Sequence, residues 1–340
     1  MSEKLYDYTV VIGRFQPVHN AHIKLIEYAA SISKNSVIVL IGSANQPSTY
    51  KNPFSYADRA SLIEESTDYH CIFEPIEDSI YSDTVWISRV QSAIAKNTLP
   101  TDKIAIVGHK KDLSSAYLDW FPNYDTVPVE EFDQLNATDI RSLYFDDKMS
   151  MNYLKNVVPA ATYNFLEAFV SSHKDKFDTI VEERKFLEKY KKQYEVCPYP
   201  PVFVTTDAVV VCNGHVLMIR RKAVPGKGLY ALPGGFLDAN NDISVKSGML
   251  RELKEETNIK VPLPVLEGHI KDSHVFDAIS RSSRGRTITH AFYIQLHERL
   301  LPKVKGGDDA QQALWLPLGT LDSSKIYEDH AEIIRHFTSI

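Results

Sequence analysis

The chain has 340 residues, of which 44% are hydrophobic and 24% are charged, and its net charge is −6 at neutral pH. This length and composition are typical of a globular protein with two domains. The negative charge argues against a nucleic-acid partner, and no apolar run approaches the ~20 residues that span a bilayer. Charged residues precede the first apolar run, unlike in a signal peptide, so we expect a cytoplasmic protein without membrane partners.

The cysteines at positions 71, 197 and 212 have no metal-like spacing and cannot all form disulfides with one another. This pattern favours a reducing compartment. We interpret all three as small, buried hydrophobic residues.

The first pattern is a β-branched apolar run at residues 9–12, which predicts a buried strand. A glycine and a proline end this run, and a helical pattern begins near Ala21. Backbone N–H groups and the positive end of the helix dipole meet at such a turn, so we expect it to bind phosphate. His19 and His22 would lie together there as hydrogen-bond donors to a polyphosphate.

Apolar runs at residues 36–41, 71–73 and 104–107 alternate with helical patterns at residues 56–65 and 84–95. This alternation predicts an α/β fold with a Rossmann-like, doubly wound parallel sheet. Ligands bind at the carboxyl ends of the strands in such sheets. The residues that directly follow these runs are therefore candidate ligand contacts: Gly13, Arg14, Gly42, Ser43, Gly108 and His109.

Residues 13–22, Gly-Arg-Phe-Gln-Pro-Val-His-Asn-Ala-His, resemble the nucleotidylyltransferase superfamily, whose motif is usually written His-x-Gly-His. The opening of the segment is most similar to the archaeal-type nicotinamide mononucleotide (NMN) adenylyltransferases. Ala21 stands where the family usually has glycine, and we expect a slightly tighter pocket because alanine adds only a methyl group.

Residues 42–59 resemble the same family, which has Gly-Ser-Ala, a basic residue, Asn/Asp-Pro-Phe and a downstream arginine. Lys51, Asn52 and Arg59 match this pattern. Trp86 stands where the family has a tryptophan that stacks on nicotinamide, although a core aromatic residue is an equal alternative.

Residues 136–141, Asn-Ala-Thr-Asp-Ile-Arg, resemble the Ser/Thr-rich turn and arginine that complete the superfamily's nucleotide site. Thr138 is predicted to cap a helix, and Arg141 to offer a forked donor to phosphate oxygens. A Thr-x-x-Arg pattern alone is typical of a surface helix, so the order of the three motifs carries the inference.

The resemblance implies that the phosphate of NMN attacks the α-phosphorus of ATP in line and that pyrophosphate leaves. Such a transfer depends on positioning and charge neutralisation and needs no nucleophilic side chain. The residues assigned to this role are Arg14, His19, His22, Lys51 and Arg141, with Mg²⁺ brought by ATP. The expected substrate contacts are Gly13, Phe15, Gly42, Ser43, Asn52, Trp86, Gly108 and Thr138.

A helical stretch of mixed charge at residues 172–194 is interpreted as a solvated linker, and the proline-rich residues 197–201 end it. The predicted domain limits are 1–171 for the first domain, 172–201 for the linker and 202–340 for the second domain. The Asn213-Gly214 pair between two apolar runs predicts a β-hairpin at the start of the second domain.

Glu252, Glu255 and Glu256 would share one face of a helix, where their mutual repulsion favours a bound Mg²⁺ or Mn²⁺. A soluble acidic helix is the alternative. Residues 232–235, Leu-Pro-Gly-Gly, and residues 251–256, Arg-Glu-Leu-Lys-Glu-Glu, together resemble a Nudix box, which implies an α/β/α Nudix domain.

This copy of the box is irregular, because its spacing is long and its first glutamate has no clear match, with Asp242 as the nearest candidate. Asn258 replaces the usual glycine and tolerates the left-handed conformation of a helix end. The resemblance implies catalytic roles for Arg251, Glu255 and Glu256, metal ligation by Glu252, Glu255 and Glu256, and substrate contacts at Gly234 and Gly235. The general base is not assigned.

Residues 281–289 resemble the arginine-rich segment of Nudix domains that act on ADP-ribose, so Arg284 and Arg286 are candidate substrate contacts. A basic surface loop is the alternative. The order of the two domains resembles the family of bacterial bifunctional NMN adenylyltransferase/ADP-ribose pyrophosphatases. The implied second reaction cleaves ADP-ribose to AMP and ribose 5-phosphate.

Two other functions remain open at this point. The first domain could transfer a nucleotide to a different phosphate. The second domain could be a non-catalytic ADP-ribose sensor, or could act on another nucleoside diphosphate derivative. The sequence leaves the formation of a homo-oligomer open.

Overall fold

The computed structural model describes residues 4–109, 117–130, 136–146, 151–307 and 310–339. The chain divides into two compact units, Met1–Val181 and Glu182–Ile340, and this division lies inside the predicted linker. The domain limits given above stay a prediction, and their outer ends, residues 1 and 340, lie outside the described residues. Within the described ranges, no helix is both long enough and apolar enough to cross a membrane.

The first unit contains a parallel five-stranded sheet with helices between its strands. Its strands are β1 (Tyr8–Gly13), β2 (Val37–Ile41), β3 (Cys71–Pro75), β4 (Ile104–His109) and β5 (Asp125–Val129). Its helices are α1 (Asn20–Ile32), α2 (Tyr56–Glu64), α3 (Asp83–Ala95), α4 (Ala137–Tyr144), α5 (Met151–Leu154) and α6 (Ala160–Ser172), and α7 (Lys174–Lys192) begins there. The strand order β3-β2-β1-β4-β5 confirms the Rossmann-like prediction.

Strand β2 and helix α1 could be predicted from the sequence because the side chains that they bury follow a regular pattern. All five residues of β2 are buried, as expected of a parallel strand covered on both faces. In α1, Ile23 and Ile26 are buried and Lys24 is exposed, which produces the helical periodicity. β5 was not predicted, because its Asp-Thr-Val-Pro-Val sequence carries a proline, which the edge position of the strand tolerates.

Most charged side chains of the linker are exposed, as expected, with Glu183 and Arg184 as exceptions, whereas the expectation of three buried cysteines was wrong. Glu183 and Arg184 of α7 are buried, with 4% and 7% exposure, because the Glu183 carboxylate accepts a hydrogen bond from the Gly226 N–H (3.3 Å) and Arg184 pairs with Glu188 (2.8 Å). Among the cysteines only Cys212 is buried, whereas the one at position 197 is exposed in the proline-rich segment after α7.

The second unit contains a mixed seven-stranded sheet. Its strands are β6 (Phe203–Cys212), β7 (His215–Arg221), β8 (Tyr230–Ala231), β9 (Gly234–Phe236), β10 (Ile270–Phe276), β11 (Thr287–Leu296) and β12 (Ala310–Pro317), and its further helices are α8 (Val245–Thr257), α9 (Leu263–Gly268) and α10 (His330–Thr338). The main order is β10-β11-β6-β7-β12, with β8 beside β7 and β9 beside β6.

The predicted hairpin is present between β6 and β7. Asn213 and Gly214 form its turn with φ values of 46° and 70°, which is the geometry that Asn-Gly favours. One face of β6 and β11 packs against α8 through a core that contains Ala208, Met249 and Phe292. This packing fixes α8, the helix with the three glutamates, beside β9.

We predict that Gly214→Ala lowers the free energy of unfolding by about 1 kcal/mol, because alanine at φ 70° is strained. Gly319→Ala is the matched control, since in the described chain neither position has an atom within 4 Å of an added Cβ, and Gly319 has no positive φ. Urea unfolding of the two variants measures the difference. Equal destabilisation of both would contradict a strained turn.

Two candidate active sites

The carboxyl ends of β1 and β2 are held together by the buried guanidinium of Arg59, which is only 1% exposed. It donates hydrogen bonds to the carbonyl oxygens of Arg14 (2.6 Å), Gly42 (2.7 Å), Ser55 (3.1 Å) and Ser43 (3.4 Å). Burial lowers the pKa of Arg59 to about 10. Arg14, Arg59 and Arg141 bring three positive charges to this edge of the sheet, and Asp78 and Asp58 offset part of the charge of Arg59.

The two histidines lie together at the start of α1, as the sequence predicts. Their rings stack with a centroid distance of 3.6 Å, and the His19 N–H donates to Nδ1 of His22 (3.3 Å). Phe15, with a positive φ of 53°, places its buried ring edge-on to His22 at 4.8 Å. The imidazoles therefore adjoin the N-terminal end of a helix, where an anion is stabilised.

Arg141 enters the same site from α4. Its Nη1 donates to the Gln16 carbonyl (2.5 Å) and its Nη2 to the Thr138 hydroxyl (3.1 Å). The predicted cap was wrong: Asn136, whose side chain accepts from the Asp139 N–H, caps α4, and Thr138 lies inside the first turn. Burial lowers the pKa of Arg141 to about 10, and the charge of Arg14 adds to this effect.

Hydrogen bonds between Gln16 and Phe54 hold part of the 42–59 segment at the site. The Gln16 carboxamide bonds the Phe54 backbone in both directions, at 2.9 and 3.0 Å, and this fixes the neighbouring Asn52. In the part of the chain that the structure describes, two buried polar atoms lack a partner here, an acceptor (Oδ1 of Asn52) and a donor (Nε of Arg141). Such atoms are rare in folded proteins and mark a place for a ligand. Lys51 is exposed next to them.

Three further predicted contacts have different surroundings. Ser43 donates from its N–H (3.1 Å) and its hydroxyl (2.7 Å) to Asp78, a residue that the sequence did not single out. Gly108 packs under Leu118, which an added Cβ would approach to 3.0 Å. Trp86 is half-buried and meets Trp120 edge-on at 6.1 Å, which agrees with the core alternative, so its contact with nicotinamide stays a prediction.

In the second unit, Arg251 is the centre of a carboxylate cluster on α8. Its guanidinium donates to both oxygens of Asp242 (3.0 and 2.8 Å), to Glu252 (2.7 Å) and to Glu255 (2.9 Å). The hydrogen bonds that Arg251 donates to Asp242 are the main reason why the pKa of Arg251 is raised. Asp242, the nearest candidate for the missing box glutamate, is thus the principal partner of the box arginine. Arg251 therefore offsets part of the repulsion between Glu252 and Glu255.

Glu256 lies deeper in this site. It is 6% exposed and accepts a hydrogen bond from the Gly234 N–H (2.9 Å), and burial raises the pKa of its carboxyl group to about 8. A Cβ at Gly235 would lie 2.7 Å from the Glu252 carboxyl group, so only glycine allows the backbone this close. Asn258 ends α8 in the left-handed conformation, as predicted, with φ 44°.

A divalent cation is compatible with these donors, because three carboxylates and a closely apposed glycine backbone supply hard oxygen ligands. A cation would also stabilise the charged form of the buried Glu256. Among the residues that the structure describes, no three Asp, Glu, His or Cys side chains are already gathered in ligating geometry, and Arg251 bridges two of the glutamates instead.

The arginine-rich segment contains arginines with different environments. Arg281 forms a buried bidentate ion pair with Asp329 (2.9 and 3.1 Å), and Arg286 donates to the Asp277 carbonyl (2.6 Å). Arg284 lies over the ring of Phe236, with 4.7 Å between its Cζ and the ring centroid. Arg284 and Arg286 were both predicted to contact the substrate. Arg284 lies next to Phe236, which directly follows Gly234 and Gly235, whereas Arg286 bonds the Asp277 backbone.

Comparison with known proteins agrees with this organisation. The cytidylyltransferase-like family model matches residues 10–207, and the NUDIX domain model matches residues 202–337. The nicotinamide/nicotinic acid mononucleotide adenylyltransferase of Acinetobacter baylyi is 33% identical over 49% of this chain and 88% of that relative. The ADP-ribose pyrophosphatase of Methanocaldococcus jannaschii is 32% identical over 45% of this chain and 83% of that relative.

Whole-chain similarity is found with a crystal structure from Francisella tularensis, described as a bifunctional NMN adenylyltransferase/ADP ribose pyrophosphatase. It has a TM-score of 0.91 and 36% identity, and the match covers 98% of this chain and 99% of that one. A second structure, of the same enzyme complexed with AMP and a manganese ion, has a TM-score of 0.90, 34% identity and the same coverage. The chain belongs to the cytidylyltransferase-like family, and with its NUDIX domain it is a member of the bifunctional NMN adenylyltransferase/ADP-ribose pyrophosphatases.

Proposed function

We propose that the first domain makes NAD and pyrophosphate from NMN and ATP, and that the second hydrolyses ADP-ribose to AMP and ribose 5-phosphate. One observation carries this proposal: a single chain combines a cationic phosphate site with a carboxylate-rich helix that suits a divalent cation. Whole-chain similarity to a protein described by both activities supports it. The free cysteines are compatible with the cytoplasm, which we propose as the location.

In the first reaction, an oxygen of the NMN phosphate forms a bond to the α-phosphorus of ATP while the bond to the bridging oxygen breaks. His19 and His22 hold the triphosphate at the start of α1. Arg14, Lys51 and Arg141 neutralise the charge that moves onto the leaving pyrophosphate. The unsatisfied Asn52 oxygen accepts a hydrogen bond from the substrate, and Gly13, Phe15, Gly42, Ser43, Gly108 and Thr138 shape the pocket.

In the second reaction, water adds to one phosphorus of the diphosphate and the P–O–P bond breaks. Glu252, Glu255 and Glu256 would hold a divalent cation, for which we propose Mg²⁺ or Mn²⁺; when bound, it neutralises charge on the diphosphate. Arg251 orients the glutamates and faces the same charge. Gly234 and Gly235 let the substrate approach the backbone, and Arg284 and Arg286 contact it from the arginine-rich segment.

We predict that His22→Ala slows NAD formation by a factor on the order of 10² to 10³, because a donor to the developing phosphate charge is lost. The fold should remain intact. His70→Ala, which changes an exposed histidine of the same domain, is the matched control and should retain full activity. Initial rates of NAD formation from NMN and ATP measure the effect. Near-normal turnover by His22→Ala would remove the histidines from the mechanism.

We predict that the wild-type protein releases AMP from ADP-ribose with Mg²⁺ or Mn²⁺, and that Glu255→Gln/Glu256→Gln does not, because amides are poor ligands for a hard cation. Chromatography of the products after incubation measures both. NAD formation by the variant is the control for folding of the chain. If the wild type releases no AMP with either metal, the hydrolase assignment is wrong and an ADP-ribose binding assay tests the sensor function.

We predict that Asp242→Asn reduces ADP-ribose hydrolysis by about 10- to 100-fold, the usual cost of losing a residue that orients a metal ligand. The variant loses the anionic partner of Arg251, which then no longer holds Glu252 and Glu255 in place. Asp272→Asn changes an exposed aspartate of the same domain and should be silent. Steady-state rates at saturating metal measure both variants, and an unaffected Asp242→Asn would show that Arg251 needs no such partner.

A further inference from the structure

Strand β10 forms one end of the sheet of the second unit and has an open edge. Within the described ranges it pairs only with β11, and no other backbone–backbone hydrogen bond reaches residues 271–275. Each residue from Lys271 to Val275 is exposed, whereas eight of the ten residues of the central strand β6 are buried. The outer side of β10 is therefore accessible to another strand.

The usual ways of protecting such an edge are only partly used in β10. Proline, a bulge, a charged residue or a covering element keeps other chains away from an edge strand. β10 contains no proline, and its one register shift against β11 lies at its start, between Ile270 and Asp272. From Asp272 to Phe276 the strand pairs regularly, and Val275 is 47% exposed there. This part of β10 keeps the geometry that accepts a further strand.

A local hydrogen bond occupies a backbone donor in the middle of the exposed stretch. The Ser273 N–H donates to the side-chain carboxylate of Asp272, the residue before it, at 2.8 Å. Bonds of this kind compete with the backbone pairing of strands. A second strand that approached β10 could therefore replace this bond and release the Asp272 carboxylate for a new partner.

An imidazole lies on the other side of Ser273. His274 shares a face of β10 with Asp272, because side chains two residues apart point the same way. Its ring lies 4.3 Å from the ring of His336 in α10 and is exposed. Burial is the main reason why the pKa of His336 is lowered; His274 adds to this effect and Asp272 opposes it. A carboxylate and an imidazole thus flank Ser273 symmetrically along the strand.

This arrangement is complementary to itself. When two copies of a strand pair antiparallel around a two-fold axis, residues at equal distances from the axis lie opposite each other. An axis through Ser273 places Asp272 opposite His274 of the partner subunit, and the symmetry makes this contact twice. On the other face, Lys271 lies opposite Val275 of the partner subunit. The imidazole can donate to the carboxylate, and the lysine stem can cover the valine.

The two neighbouring registers are less favourable. An axis through Asp272 sets two carboxylates against each other, and like charges directly opposite one another destabilise a sheet. An axis through His274 sets two imidazoles against each other and places Asp272 opposite Phe276 of the partner subunit. The Phe276 side chain is only 2% exposed and offers nothing to a carboxylate. The charges of the strand therefore favour the axis through Ser273.

We propose that β10 is a homodimer interface, in which a second copy of this chain pairs antiparallel along β10 with the two-fold axis at Ser273. The seven-stranded sheets of the two second domains then form one continuous sheet. The inference goes beyond the proposed function, because no residue of β10 is assigned to either site. A strand edge buries less surface than a standard interface, so we expect a weak dimer whose population rises with protein concentration.

A charge exchange tests the proposed contact. Asp272→Lys should raise the dissociation constant of the dimer about tenfold, because two favourable cross-strand contacts become repulsive. Asp272→Lys/His274→Asp should restore dimerisation, since the opposite charges have only changed places. Glu298→Lys makes the same change of charge at an exposed position outside β10 and is the matched control.

Sedimentation equilibrium over a wide range of protein concentration measures the dissociation constants, and circular dichroism verifies that each variant is folded. A wild-type protein that stays monomeric at every concentration would overturn the proposal. A double variant that dimerises no better than Asp272→Lys would overturn it as well.

Disulfide cross-linking tests the register. In a Cys197→Ser background, which removes the exposed cysteine, Ser273→Cys should form a disulfide-linked dimer on oxidation, because paired residues in antiparallel strands lie about 5.5 Å apart. Lys271→Cys is the matched control. Its two copies would be offset by four residues, about 13 Å, which a disulfide cannot span. Gel electrophoresis without reductant measures both. Absence of the Ser273→Cys dimer, or equal cross-linking of both variants, would contradict the proposed axis.

Discussion

The first domain depends on one buried cation. The Arg59 guanidinium gathers carbonyl oxygens that follow β1 and β2 and one that precedes α2, so three chain segments share a single anchor. A parallel sheet alone would let these loops diverge after the last strand hydrogen bond. With Arg59 in place, Arg14 and Gly42 lie side by side, and the charge of Arg14 acts on both Arg59 and Arg141 at the proposed phosphate site.

The parts of the fold that the sequence predicted are those in which local pattern and tertiary environment agree. β1, β2 and α1 have the periodicity of buried elements, and the Asn213-Gly214 turn has the conformation that its residue types favour. β5 and the cap of α4 were missed or misplaced for a common reason. Their residue types also suit other conformations, and the choice between these is made by neighbours distant in the chain.

The candidate sites show the same limit at the level of side chains. The positions of His19, His22 and Arg141 followed from motifs, and so did those of the α8 glutamates. The partner of Ser43, by contrast, is Asp78 on the segment after β3, and nothing in the sequence links the two residues. Composition likewise could not tell Arg281, which is paired with Asp329, from Arg284, which faces an aromatic ring. Side-chain pairs between residues that are distant in the chain can be identified only once the fold is known.

The position of Arg251 among the carboxylates changes what a metal ion does to this domain. The Arg251 guanidinium serves as a counter-ion of Glu252 and Glu255, so a divalent cation that binds these carboxylates would have to displace it from them.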